Sequence, residues 1–340
     1  MSTQAEDPYA GPTLRSQHDV LLLDLDGTVY QGKDPIAGAV DALKIGTEKQ
    51  YFVTNNASRS PSDVADHLRE LGFDTSEDFV VTSAQVGARM LAELVPAGSS
   101  VVVVGAEALA NEISLVGLNP VRSAEGEPAA VVQGHNVATD WQILAEAAFA
   151  IRAGAVWVAT NTDATLPTER GLAPGNGSMV AAVRTATDQE PLVAGKPASP
   201  IMKDAIRLSE ATSPLVVGDR LDTDIEGANS TGIPSLMVLT GVNSALDAVR
   251  AILSQRPTHI GFDLDVLNFP ADKSRVEAKP GWLAEVDGGV LVVRHDGSGS
   301  VDILDGLLSA AAGAWRSTQA WDTIEVFGDG TDAVRELLTR

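Results

Sequence analysis

Val20-Leu21-Leu22-Leu23-Asp24-Leu25-Asp26-Gly27-Thr28 is the stretch whose reading decides the fold of this chain. Four consecutive apolar residues predict a strand buried on both faces, and the run ends in two carboxylates and a glycine turn. Asp24 and Asp26 lie two apart, so on an extended backbone both side chains point to one side. Gly27 lets the chain turn sharply enough to gather both around one point. Carboxylates at the C-terminal end of a strand suit a hard cation such as Mg²⁺, and ligands of open α/β sheets bind at that edge.

Strands ending in polar residues recur along the chain. Tyr51-Phe52-Val53 runs into Thr54-Asn55-Asn56, which brings a hydroxyl, two amides and backbone N–H groups to the edge that carries Asp24. Ser60-Pro61-Ser62-Asp63 has the pattern of a helix start, and Gly72 that of its stop. Val193-Ala194-Gly195-Lys196-Pro197 fixes one lysine in a turn, and lysine is a compact point charge suited to phosphate. Leu215-Val216-Val217 ends in Gly218-Asp219-Arg220-Leu221-Asp222-Thr223-Asp224, a second acidic cluster with the chemistry of a metal site. Asp224 could instead cap the helix that follows. Asp263-Leu264-Asp265 repeats the acid spacing without the apolar run before it or the Gly-Thr after it, and reads as structural.

Between Thr82 and Thr185 the chain alternates strand and helix patterns, has apolar strands of its own and carries no lysine. It reads as a second α/β domain inserted into the first. Asn161 to Ser178, rich in Gly and Pro, reads as a long functional loop with Arg170 as its cation, set to meet an anionic or hydroxylated substrate. The divisions expected are a disordered arm over 1–17, a core over 18–82 and 186–268, an inserted domain over 83–185 and a small C-terminal module over 271–340. The fold class expected is α/β: a doubly wound, Rossmann-like parallel sheet core, an inserted α/β cap and an α+β module.

Composition bounds the chemistry. The net charge of −22 argues against a nucleic-acid or anionic-membrane surface, and any anionic substrate needs local positive charge to offset it. With no cysteine, thiolate metal sites and cysteine nucleophiles are excluded. Apolar runs reach only four or five residues, too short to span a membrane, and the polar start has no signal-peptide core, so the cytoplasm is expected.

The motifs Asp24-x-Asp26-Gly27-Thr28, Thr54-Asn55-Asn56, Lys196 and Gly218-Asp219 with Asp224 occur in an order that resembles the haloacid dehalogenase-like superfamily. Within it, the insert before Lys196 resembles the cap of the class IIA phosphatases. The resemblance covers about Val20 to Leu267, with the cap loop Asn161-x-Asp163 through Pro174-Gly175-x-Gly177-Ser178. It implies Asp24 as the nucleophile that forms an aspartyl phosphate, and Asp26 as general acid and then base. It further implies that Thr54 and the Asn55 N–H hold phosphoryl oxygens, with Asn56 and Arg170 on the substrate side. Lys196 then neutralises nucleophile and phosphate. Mg²⁺ is expected on Asp24, the Asp26 carbonyl and Asp219, with Asp224 behind them. The implied partner is a small phosphorylated metabolite, with glycerol 3-phosphate expected ahead of phosphoglycolate, pyridoxal phosphate or a nucleoside monophosphate. A homodimer through the cap is a further expectation. The C-terminal module resembles a truncated acetyltransferase-type fold, but Gly328-Asp329-Gly330 is not a coenzyme-holding loop and no acetyl transfer is expected. A phospho-aspartate signalling module is the non-enzymatic alternative, disfavoured by the long insert.

Overall fold

The computed structural model describes residues 11–168 and 170–339. It forms two compact units: the chain up to Tyr51 with the chain from Ser209 onward, and Phe52–Leu208.

In the first unit the Val20–Leu23 strand is buried along its length and pairs in parallel with Pro214–Gly218. Ser235–Val238 and His259–Gly261 follow in parallel register. Strands buried on both faces need no hydrophobic alternation, which is why these segments read as unbroken apolar runs. Their C-terminal ends carry the acidic motifs. Asp263 accepts from the Asp265 N–H and caps the short helix Leu264–Asn268, a structural use of the repeated spacing.

The Lys49–Thr54 strand begins in the first unit and ends in the second, where it pairs in parallel with Val80–Thr82. Ser60 and Asp63 form the reciprocal cap of the Pro61–Glu70 helix, as the sequence pattern predicts. Beyond it stands a parallel five-stranded sheet in the order Leu192–Val193, Val156–Ala159, Ala130–Gln133, Ser100–Val104, Asn119–Val121. One of its faces packs Val102, Val131 and Trp157 against Ala147, Ile151, Val180 and Val183. The expected α/β class, built on parallel sheets, holds in both units.

Three expectations are corrected here. Residues 1–10 of the expected disordered arm lie outside the described residues, but Leu14 and Arg15 within 11–17 are buried. Leu14 is buried and its N–H donates to Phe269 O, while the Arg15 guanidinium donates to Ala42 O. The stretch 161–178 is not one long loop. Thr165–Thr168 and Gly171–Pro174 pair as an antiparallel hairpin, and a helix starts at Asn176. Proline is tolerated in that hairpin because a two-stranded ribbon consists only of edges.

The third concerns the divisions. Val80–Thr82 and Lys196, expected in the core, fall in the second unit. The C-terminal residues belong to the first unit: Trp282, Leu291, Leu307, Leu308 and Val334 share one apolar core with Leu221, Ile225, Met237 and Ile260. This stretch forms a three-stranded sheet, Trp282–Asp287 and Val290–His295 antiparallel and Thr323–Phe327 parallel to the second, under the Ile303–Arg316 helix.

Candidate active site

Where the Val20–Leu23 strand ends, the backbone closes at once into a tight turn. Leu25 O accepts from the N–H groups of Thr28, Val29 and Tyr30, and the Gly27 N–H donates to Tyr30 O. Gly27 sits at φ +88°, a left-handed conformation that L side chains rarely adopt. The turn begins at Leu25, between the two acids. Asp24 is half-buried and Asp26 exposed.

The cluster that forms is Asp24, Asp219 and Asp224, whose carboxylates each bring an oxygen within 4.8 Å of the other two. Asp219 is fully buried. Its Oδ1 accepts from Thr28 Oγ1 at 3.3 Å and its Oδ2 from the Val242 N–H at 2.6 Å. Thr240 Oγ1 donates to Gly27 O at 2.6 Å, tying the two loops around it together. The slot is built to the size of a carboxylate: a Cβ on Gly27 would lie 2.6 Å from Asp219 Oδ2, and one on Gly241 only 2.0 Å. Asp224, also buried, lies in the π-turn Leu221–Ile225 and accepts from the Arg220 N–H through Oδ2. It does not cap the next helix, whose N-cap position is Ile225. Asp222 is spent on Arg220, which reaches both its oxygens.

Three carboxylates this close, two of them withdrawn from water, repel one another. A divalent cation with oxygen preference relieves that repulsion, and an all-carboxylate donor set of this kind fits Mg²⁺ or Ca²⁺ better than a thiophilic metal.

The other motif residues lie in the second unit. Thr54 is buried at the end of its strand, with Oγ1 accepting from the Asn56 N–H. Asn56 Oδ1 accepts from the N–H and hydroxyl of Ser58, so this exposed side chain closes a local turn. Lys196 is 2% exposed and its Nζ donates to Val53 O at 3.0 Å. Its backbone is bracketed by one amide: Asn55 Oδ1 accepts from the Lys196 N–H at 2.8 Å, while Asn55 Nδ2 donates to Lys196 O at 3.0 Å. That same Nδ2 reaches the Asp163 carboxylate at 3.2 Å. Asn161 Nδ2 and Ser83 Oγ both donate to Asn55 O. The Asn55 side chain is therefore a clamp rather than a group presented to substrate. Arg170 is exposed at the tip of the hairpin, its N–H donating to Thr168 Oγ1.

Sequence reasoning placed Asn161 and Asp163 in the cap loop without giving them a role, and passed over Thr240 and Gly241. The first two stood inside a segment read as loop. Thr240-Gly241 follows an apolar strand just as the other motifs do, and that position was the available signal.

Comparison with known proteins decides the family. Residues 21–119 match the model of the haloacid dehalogenase-like hydrolases and residues 193–267 a second model of such hydrolases. The chain is 54% identical over 313 residues to a D-glycerol 3-phosphate phosphatase of Mycobacterium tuberculosis, covering 91% of this chain and 89% of that protein. This chain is a haloacid dehalogenase-like hydrolase. The chain is also 36% identical over 236 residues to an acid sugar phosphatase of Staphylococcus aureus, covering 68% of this chain and 90% of that protein. A crystal structure of a glycerol phosphate phosphatase from M. tuberculosis in complex with magnesium superposes with a TM-score of 0.91. It is 52% identical and covers 96% of this hydrolase and 98% of that chain.

Proposed function

We propose that this hydrolase is a phosphomonoesterase whose substrate is glycerol 3-phosphate. The observation that carries the reaction type is the acidic cluster of Asp24, Asp219 and Asp224 at the end of a buried strand. The substrate is supported by similarity to the mycobacterial D-glycerol 3-phosphate phosphatase along nearly the whole chain.

Asp24 is the nucleophile on this reading: half-buried, at the rim of the cluster, where its carboxylate can reach a phosphorus atom. One Asp24 oxygen forms a bond to phosphorus as the ester oxygen leaves, and that oxygen takes a proton from the Asp26 carboxyl. Water then attacks phosphorus and gives its proton to the Asp26 carboxylate, which frees Asp24 and phosphate. Protonating a poor alkoxide leaving group is worth about 10²–10⁴-fold in rate. Asp26 is exposed, so its carboxyl can exchange a proton with solvent between the two steps, and it is not one of the three clustered carboxylates. Asp24, Asp219 and Asp224 would hold Mg²⁺, with the Asp26 carbonyl as a further donor. When bound, the ion offsets carboxylate repulsion and phosphoryl charge. Thr54 and the Asn55 N–H would take phosphoryl oxygens, and Lys196 would supply the fixed positive charge. Arg170 would meet the alcohol end. Pairing of two copies through the inserted segment, and residence in the cytoplasm, belong to the same reading. No helix among the described residues is long and apolar enough to cross a membrane.

The test is phosphate release from both glycerol 3-phosphate enantiomers, glycerol 2-phosphate, phosphoglycolate, pyridoxal phosphate, nucleoside monophosphates and a sugar phosphate, with Mg²⁺ or EDTA. Release that is highest for glycerol 3-phosphate, needs Mg²⁺ and is lost in Asp24→Asn is the expected result. A sugar phosphate as the best substrate, which the similarity to the acid sugar phosphatase would favour, keeps the mechanism and discards the substrate. No release from any ester by folded protein discards both.

A further inference from the structure

Thr240 has no part in the proposed reaction, yet its hydroxyl makes a 2.6 Å hydrogen bond to the turn that carries Asp26. The donor is Thr240 Oγ1 and the acceptor is Gly27 O, far apart in the chain but both in the first unit. The Ser235–Val238 strand, which leads to Thr240, pairs with Pro214–Gly218, and that strand pairs in turn with Val20–Leu23. Asp219 directly follows the middle strand. The bond therefore joins the loops on either side of the strand end that presents Asp219.

The turn needs such an anchor. Leu25 O accepts from the N–H groups of Thr28, Val29 and Tyr30, and the Gly27 N–H donates to Tyr30 O. These bonds are internal: they fix the shape of the turn but not its tilt against the sheet. Thr28 Oγ1 reaches outward to Asp219 Oδ1 at 3.3 Å, a long contact for a hydroxyl. The bond from Thr240 is much shorter, at the close end of the range for O–H···O pairs. It grips Gly27, which has no side chain to pack and sits at φ +88°. A threonine suits the task, because branching at Cβ restricts χ1 and holds the hydroxyl in place.

Asp26 is the residue before Gly27, and it is exposed. Packing does little to aim an exposed side chain, so its direction follows its own backbone. We propose that Thr240 is a positioning residue for proton transfer: through Gly27 O its hydroxyl sets the direction of the Asp26 carboxyl. This rests on Asp26 being the proton donor of the proposed reaction. Thr240 acts through the backbone of the turn and not on the substrate.

The experiment compares two esters that differ in their need for a proton. The alkoxide of glycerol 3-phosphate leaves poorly without one, whereas 4-nitrophenyl phosphate releases a phenolate that is stable as an anion. kcat/KM reports phosphoryl transfer to Asp24, before water enters. Each variant is assayed at Mg²⁺ levels that calorimetric titration shows to be saturating, so weakened ion binding does not contribute. Thr240→Val keeps the shape of the side chain and removes the hydroxyl. It is expected to lower kcat/KM at least about tenfold for glycerol 3-phosphate, as misplacing a reacting group does. For 4-nitrophenyl phosphate the fall should stay below about twofold, because no proton is needed. Thr240→Ser should restore the wild-type ratio of the two esters. On the residual glycerol 3-phosphate activity of Asp26→Asn, adding Thr240→Val should cost nothing further, since groups that act through one another are not additive. No fall with glycerol 3-phosphate, an equal fall for both esters, an additive loss beside Asp26→Asn, or no rescue by serine would each overturn the inference. None of these touches the proposed reaction, which the wild type and Asp24→Asn decide separately; a wild type inert towards both esters removes the two together. If Thr240→Val does not fold, Thr240→Ala carries the same comparisons.

Discussion

Gly241 shows how closely single residues are fitted around the acidic cluster. A Cβ there would lie 2.0 Å from Asp219 Oδ2 and 2.4 Å from its Cγ, closer than real atoms approach. Unlike Gly27, it is not held in a left-handed conformation, so Gly241→Ala tests crowding without backbone strain. Asp219 is pinned on its other side by Thr28 and cannot retreat without losing that bond. The expected outcome is Mg²⁺ binding weakened by about tenfold or more, which is about 1.4 kcal/mol, in a titration of the apo protein. Unchanged affinity would mean that Asp219 does not hold the ion. The carboxylates themselves were legible: Asp24 and Asp219 each end an apolar run, and the sequence pattern carries that directly. Gly241 was not, because no sequence pattern tells which glycine of a distant loop abuts which side chain. Asp26 was half legible. Its importance is readable from the spacing, but its exposure depends on a turn that starts at Leu25, which alternation does not foretell.

At the scale of elements, the loop after the Val156–Ala159 strand and the Lys196 turn are joined by one amide. Asn55 brackets the Lys196 backbone on both sides and touches Asp163 with the same nitrogen. Displacing this clamp should move a buried cation whose value lies in its fixed position. Asn55→Asp keeps the acceptor for the Lys196 N–H but turns the donor into an oxygen facing Lys196 O and the Asp163 carboxylate. It is expected to lower kcat about 10- to 100-fold, the order of effect that misplacing a group by an ångström produces. Asp163→Asn retains an acceptor for Asn55 and should stay closer to wild type. Steady-state kinetics on both variants check this, and equal kcat values for the two would remove the clamp from the mechanism. Periodicity made the strands and the capped Pro61–Glu70 helix readable, since both obey local rules. The Thr165–Thr168 and Gly171–Pro174 hairpin defied them. Its Gly and Pro content is that of a loop, and only pairing with its own second half makes it a ribbon.

Across the whole molecule, the net charge of −22 is set against a few placed cations, of which Lys196 is nine-tenths buried and more. The C-terminal stretch was legible as strands and helices but not as part of a shared core, because apolar faces read from sequence do not name their partners. Leu221, Ile225, Met237 and Ile260 are covered in the same cluster as Trp282, Leu307 and Val334. Uncovering four large side chains at about 1.5–3 kcal/mol each rivals the whole stability of an ordinary domain, about 5–15 kcal/mol. A chain ended at Pro270 is therefore expected to aggregate or to lose its cooperative thermal transition, measured by calorimetry. A truncated chain that melts as sharply and as high as the full one would show the stretch to be dispensable.

That shared interior also separates covalent continuity from physical integrity. The exposed tip Asp296-Gly297-Ser298-Gly299-Ser300 lies between the Val290–His295 strand and the Ile303–Arg316 helix, and the segments on either side of it are rooted in one core. A protease nick at this tip would leave two polypeptides that remain a single particle. Expressed as separate halves, they should find each other and restore turnover, so the tip is a natural place to build a split reporter.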